Sequence, residues 1–471
     1  MQDTLLSYTK LDMMLKRSLV VLALLFTMEA CRPHPDNISE PKTSREARSL
    51  MGAAEDFTPD LLAAIDESRL SRDWSYQQGL AWALWADANQ IVKRERADFA
   101  KWQTWYSKED LQGIFRAIYS ALSKDQRAGR VALSDREIND GIRSHTVGQF
   151  LSPDWNRDVF ERWFVKYDND AKKLSIPGMN KVLMNHGALV FFLKNYAAID
   201  RCAKAMTLSE ACEPLTVPPD VAFLKTAWRR GQTDFLVPYY QTDDLFSQLA
   251  ADEWQVKKRE IPEDGTTYRI DTPSGQVFHL TAVHLTLKLT KSWFWTSIWL
   301  DEKKNGEGAV RLDRFHPPVA SQSATAAVAL SSPWTSAAAP GALAPIWQNY
   351  RLCAVNGFDG LAKTDSSVEF ERTVAGAEAN VGASWCSNPY LEGGAQNHKT
   401  NCIGCHQHAG SAWSQDEFNE HLLNDLASVT QKAVPDTVSS SDFIWSLYNG
   451  PEPFASFISQ EIDYFDIYDS F

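Results

Sequence analysis

The sequence predicts an α+β fold: a mostly helical region over 56–215, then a mixed, β-rich domain over 216–471 with a C-terminal helix. Three observations predict it. Leu111, Ile114, Phe115, Ile118, Tyr119 and Leu122 recur at helical spacing. The pattern changes after Pro218, where short apolar runs separated by turn residues take over. Within one of them Val283, Leu285, Leu287 and Leu289 alternate with Ala282, His284, Thr286 and Lys288, the two-residue period of a strand with one buried face. At 471 residues and 44% hydrophobic, the chain can bury a sizeable core in two to four domains or one elaborate one. A net charge of −13 excludes the basic footprint of a nucleic-acid binder. The 17 Trp suit either aromatic-rich pockets or core filling.

Taken in order, residues 1–31 read as a secretory signal. Lys16 and Arg17 precede an apolar run over 18–28, too short to span a bilayer comfortably, that ends at Glu29-Ala30-Cys31. The dozen residues before Met13 look dispensable, with Met13 or Met14 as the start. A cysteine at the first mature position resembles a bacterial lipoprotein signal, although Met28 and Glu29 depart from its usual residues. That resemblance implies lipidation of Cys31, membrane attachment through the lipid alone, and a place on the periplasmic side of the envelope. Arg32 after the cysteine implies the outer membrane. Residues 32–55, with Pro33, Pro35 and Pro41, read as a flexible tether.

Helices are expected over 78–93, from the capping box Ser107-Lys108-Glu109-Asp110 onward, and over 179–196. Asp168-Asn169-Asp170 starts like a calcium loop but lacks the later Gly and Glu, so it reads as a solvated turn. Strands are expected over 221–228, 268–271, 276–290 and 293–300, with Pro273-Ser274-Gly275 as a turn. Residues 317–345, rich in Ala, Ser and Pro, read as a long surface loop, and helices resume near Gln415.

One motif carries clear chemistry. Cys402-Ile403-Gly404-Cys405-His406 has the Cys-x-x-Cys-His spacing that attaches haem c. Cys402 and Cys405 would form thioethers to the haem, and His406 would be the proximal iron ligand. A redox dithiol or half of a zinc site are the competing readings of such a pair, but no second pair has zinc spacing. No His-Glu-x-x-His, Gly-x-Ser-x-Gly or phosphate-binding glycine loop occurs.

Of seven cysteines, Cys31 goes to lipid and two go to haem, leaving Cys202, Cys212, Cys353 and Cys386. Outside the cytoplasm these can form two disulfides. Cys202–Cys212 with Cys353–Cys386 closes the shortest loops, and the other two pairings stay open.

The sixth iron ligand decides the chemistry. No Met follows Met206, which excludes the common downstream Met ligand. His284, mid-strand on the polar face, is the leading candidate. His421, His408, His279, His316, His398, Met179 and Met184 are weaker ones. Trp293, Trp295 and Trp299 share one strand face and could wall a haem crevice or simply fill the core.

Several segments resemble a family of secreted mono-haem c-type cytochrome proteins over about 215–415. They are Lys225-Thr226-Ala227-Trp228, His284-Leu285-Thr286-Leu287-Lys288, Trp293-Phe294-Trp295-Thr296, Tyr350-Arg351-Leu352, and Asn388-Pro389-Tyr390-Leu391-Glu392 before the haem motif. The family's Phe-Glu-His after the Trp-x-Trp-x-Thr stretch is absent, since the chain continues as Ser297-Ile298-Trp299. The resemblance implies a mixed, β-rich haem c domain and says little about reaction.

The expected function is an envelope c-type cytochrome with one covalent haem, passing electrons to a redox partner protein. One alternative is a haem enzyme of peroxidase or oxygenase type with an open sixth site, in which His284 or Lys288 could act as distal acid/base groups. Another is a haem-based sensor or a partner-binding lipoprotein.

Overall fold

The computed structural model describes residues 57–70, 74–93, 98–130, 132–145, 179–207, 215–230, 235–239, 255–259, 267–271, 277–289, 293–300, 346–347, 350–356, 388, 391, 406, 447 and 454–469. Among them the chain is α+β, as expected from its two periodicities. Helices α1 (Pro59–Ala63), α2 (Glu67–Leu70) and α3 (Trp74–Ala88) come first. A hairpin of β1 (Ile91–Lys93) and β2 (Asp98–Ala100) leads through a 3-10 turn (Lys101–Thr104) to β3 (Tyr106–Ser107). Helices α4 (Lys108–Ala121), α5 (Lys124–Arg127) and α6 (Asp135–Ser144) follow. Then come β4 (Met179–Met184), α7 (His186–Lys194), α8 (Tyr196–Thr207), β5 (Ala222–Arg230) and the pair β6 (Phe235–Tyr239) and β7 (Gln255–Arg259). The chain continues with β8 (Arg269–Asp271), β9 (Val277–Lys288), β10 (Trp293–Leu300), β11 (Tyr350–Asn356) and α9 (Phe454–Asp469).

The main sheet has seven strands, with path order β11-β10-β9-β5-β4-β3 and β8 pairing β9. Every pairing in it is antiparallel. Both faces are covered. One carries Phe223, Ala227, Ala282, Trp293, Trp295 and Trp299 against α4, α6, α7, α8 and α9. The other carries Leu224, Val283, Leu285, Leu287, Phe294 and Leu352 against α3 and the aromatic residues around it.

This corrects three expectations. The helix expected over 78–93 runs over Trp74–Ala88 instead, and Ile91–Lys93 is a strand because it pairs with Asp98–Ala100. Strand β9 is buried on both faces, so His284, Thr286 and Lys288 are interior rather than solvated. The alternation recorded chemistry, not exposure, because α7 and α9 cover one end of this face at Phe223, and Asn388, Leu391 and His406 lie over Lys225, His284 and Ser297. The stretch 179–196 is not one helix. Met179–Met184 is a strand pairing β5, and the helix begins at His186. Asn185 makes that break: its Oδ1 accepts from Ala188 N (3.0 Å) and Ala222 N (2.9 Å), capping α7 and tying it to β5. Since β4 precedes residue 215 and β5 follows it, one sheet draws on both regions, within the single unit Leu50–Phe471.

Helix α4 forms as its sequence demands. Ser107 is the N-cap, with Asp110 returning the capping bond, and the six apolar positions named above are all buried. Gly141 on α6 lets it close on α4, since a Cβ there would sit 2.3 Å from Ile118 Cγ1. Glu461 on α9 accepts from Gln112 (2.7 Å) and from both Arg116 Nε and Nη2 (2.6 Å each), fastening the C-terminal helix to α4. The tryptophans largely fill core. Trp85, Trp102, Tyr268 and Trp347 form a closed ring of neighbours, with centroids 4.9 to 6.3 Å apart, on the sheet face opposite His284.

Lys181 on β4 is buried, and that burial pushes its ammonium down to about 8, although Glu109 and Asp110 favour the charge. An unfolded lysine holds its proton to about 10.5. Between these values the unfolded chain binds more protons, so stability rises as pH climbs from 8 towards 10.5. Relative to Lys181→Met, the wild type should gain roughly 2 to 3 kcal/mol over that window, read from urea midpoints. A difference that stays flat with pH would contradict it.

Among the described residues no helix is long and apolar enough to cross a membrane.

Candidate functional site

The antiparallel register builds the site as a row. Lys225 on β5 pairs His284 on β9, and His284 pairs Ser297 on β10. These three point to the same sheet face as Trp295 and Trp293 because residues two apart on a strand share a face. Two positions of the segment that approaches the cysteine motif meet the row from above. Asn388 Nδ2 donates to Ser297 Oγ (3.4 Å) and to the Ile298 carbonyl (3.3 Å). Lys225 Nζ donates to the Leu391 carbonyl (3.1 Å), and Leu391 N bonds back to the Asn388 carbonyl (3.2 Å). The loop is thus fastened on both sides of His284.

His406 sits over this row. Its ring centroid lies 5.7 Å from that of His284, with 28° between the planes, and 5.8 Å from Trp295. Face-to-face stacked rings lie closer than this. Two imidazoles that bind one metal from opposite sides, each through a nitrogen–metal bond of about 2 Å, have centroids roughly 6 Å apart. The observed spacing fits that arrangement. Burial holds His284 well below the usual histidine range, helped by the charges of His406 and Lys225. It is therefore neutral, the form that ligates a metal. Ser297 Oγ lies 3.4 Å from its Nδ1.

The expected residues are thus partly brought together. His284, Trp295 and His406 converge. Trp293 lies on the same face but packs on Phe223 (6.2 Å) with Lys288 Nζ 5.4 Å above its ring, beside Phe454. His279 is buried against Thr267 (2.6 Å), and Met184 lies in the apolar core between β3 and β5. Cys202 is disulfide-bonded. Cys31, Cys212, Cys386, Cys402, Cys405, His316, His398, His408 and His421 lie outside the described residues, as do the side chains of Cys353 and Met179. Among the described residues no group of three or more His, Cys, Asp or Glu is placed to hold a metal ion.

Sequence reasoning gave no role to Ser297 and no contact to Lys225, Asn388 or Leu391. Alternation alone placed Ser297 on the tryptophan face, a small polar residue in an aromatic run. Its pairing with His284 needed the register. No family model matches the chain, and no curated protein or solved structure is detectably similar to it.

Proposed function

We propose that the chain is a c-type cytochrome of the bacterial envelope. It would carry one haem on Cys402 and Cys405, with His406 and His284 as the residues that would hold its iron, and pass electrons to a redox partner protein. The observation that carries the reading is the His284–His406 spacing, with ring centroids 5.7 Å apart, near that of two imidazoles sharing one metal. The cysteine spacing and the resemblance noted above support the covalent link. The signal-like residues before Cys31 agree with it, since such haem is attached outside the cytoplasm. On this reading Cys31 is the lipid anchor and the protein's only hold on the outer membrane.

Bound haem supplies an iron that changes oxidation state by one electron. The chain does the rest. Buried His284 stays neutral and available as a ligand. Trp295, fully buried beside His406, excludes water from the ligand pair. The helical layer over Phe223, Trp293 and Trp299 keeps that sheet face dry, which sets the potential through burial.

Expression with a cytochrome c maturation system tests this. The wild type should gain the mass of one haem and show a reduced spectrum that carbon monoxide leaves unchanged. The Cys402→Ala/Cys405→Ala variant should lose all covalent haem. A wild type without added mass would make the motif a dithiol. Ready carbon monoxide binding would instead favour the enzyme or sensor readings.

A further inference from the structure

We propose that Ser297 and Asn388 are positioning residues that hold His284 in the tautomer with Nδ1 protonated and Nε2 bearing the lone pair; the role assigned to that lone pair rests on the haem reading above. Ser297 stands in the run Trp293, Trp295, Ser297, Trp299, the one hydroxyl on an otherwise aromatic strand face. Its side chain and that of Asn388 are fully buried. Buried polar groups persist where they have partners, and these two form a chain, Asn388 to Ser297 and Ser297 to His284. Asn388 has two amide protons, which go to Ser297 Oγ and the Ile298 carbonyl. Ser297 Oγ accepts from Asn388 through one lone pair; through the other it accepts the His284 Nδ1–H, and the opposite arrangement, its own proton given to Nδ1, is the Nε2–H tautomer that 15N NMR would detect. Both links are 3.4 Å long.

The arrangement does two things. It fixes which imidazole nitrogen is the donor towards a metal, and it raises that nitrogen's basicity by taking hydrogen-bond density at the other. It also couples the ligand to the chain leading into the cysteine motif, because Asn388 belongs to the segment that Lys225 ties down at Leu391. His284, Asn388 and Leu391 are therefore held by one set of bonds.

Two measurements test this. In the reduced, haem-loaded protein, Ser297→Ala and Asn388→Ala should raise apparent carbon monoxide affinity about 10- to 100-fold, while Ser297→Thr, which keeps the hydroxyl, stays near the wild type. In a His284→Ala background the same substitutions should change affinity less than twofold. An equal rise in both backgrounds, or none in either, would overturn the assignment and leave these residues purely structural. The second measurement uses the haem-free Cys402→Ala/Cys405→Ala protein and 15N NMR of the His284 ring. We expect the Nδ1–H tautomer, shifting towards Nε2–H in Ser297→Ala. An Nε2–H tautomer in the parent would overturn the proposal whatever the fate of the haem reading, which is judged separately by the mass of the wild type.

Discussion

Asp87→Ala is expected to cost about 3–5 kcal/mol of folding stability, because it removes one partner of a buried ion pair. Asp87, on α3, is fully buried and faces Lys101 Nζ at 2.9 Å, itself buried. Its other bonds come from Thr58 N (3.2 Å), from the Thr58 hydroxyl and from Gln90 Nε2 (2.9 Å). Four donors occupy a carboxylate that offers about four acceptor sites. Truncation would leave the Lys101 ammonium in the interior without its carboxylate. Asp87→Asn keeps the shape and loses the charge, so it should cost less. The double variant Asp87→Leu/Lys101→Met removes both charges together and should fall within about 1 to 2 kcal/mol of the wild type, since a buried pair contributes little beyond an apolar isostere. Urea titrations with an unchanged slope would read these differences. A cost below about 1 kcal/mol for Asp87→Ala would mean that the pair is hydrated rather than buried. The pair lies in the layer on the opposite sheet face, so the folded fraction of each variant should keep the wild-type haem spectrum.

His284→Ala is expected to have the largest effect on ligand binding. On the proposed reading, covalent attachment would run through Cys402 and Cys405, so haem content should stay at one per chain. What changes is access. With His284 as the sixth ligand, carbon monoxide must displace it; with alanine there, the position is open. Apparent affinity should rise at least about a hundredfold, roughly 2.8 kcal/mol at 1.4 kcal/mol per factor of ten. The reduced spectrum should move from a six-coordinate to a five-coordinate form, and added imidazole should restore the former. A wild-type response to carbon monoxide in His284→Ala would remove His284 from the ligand set. The 5.7 Å pairing with His406 would then be packing alone.

Much of the architecture was legible in the residues because it depends on local rules. The α4 helix announces itself at Ser107 and through a six-residue apolar stripe, and both appear where the spacing requires. Strand β10 runs over Trp293–Leu300, the span its β-branched and aromatic content implies. The misreadings arise where distant parts of the chain decide the outcome. Residues 179–194 are apolar enough for helix or strand, and periodicity cannot separate short buried segments of the two kinds. Pairing with β5 decided for a strand up to Met184, and the Asn185 cap decided where the helix begins. Alternation in β9 correctly divided its residues between two faces but could not say that the polar face is covered, because the covering helices come from distant parts of the chain.

The same division runs through the candidate site. The sequence by itself raised the expectation of covalent haem at Cys402-Ile403-Gly404-Cys405-His406, since that reading depends on side chains adjacent along the chain. It also singled out His284, by its place in a strand pattern. Only the tertiary structure decided which residues stand around that histidine. Lys225, Ser297, Asn388 and His406 come from four separate stretches, and strand register together with two loop anchors sets their meeting. Register is a cooperative property of the whole sheet, in which a shift of one residue would turn each of these side chains to the other face.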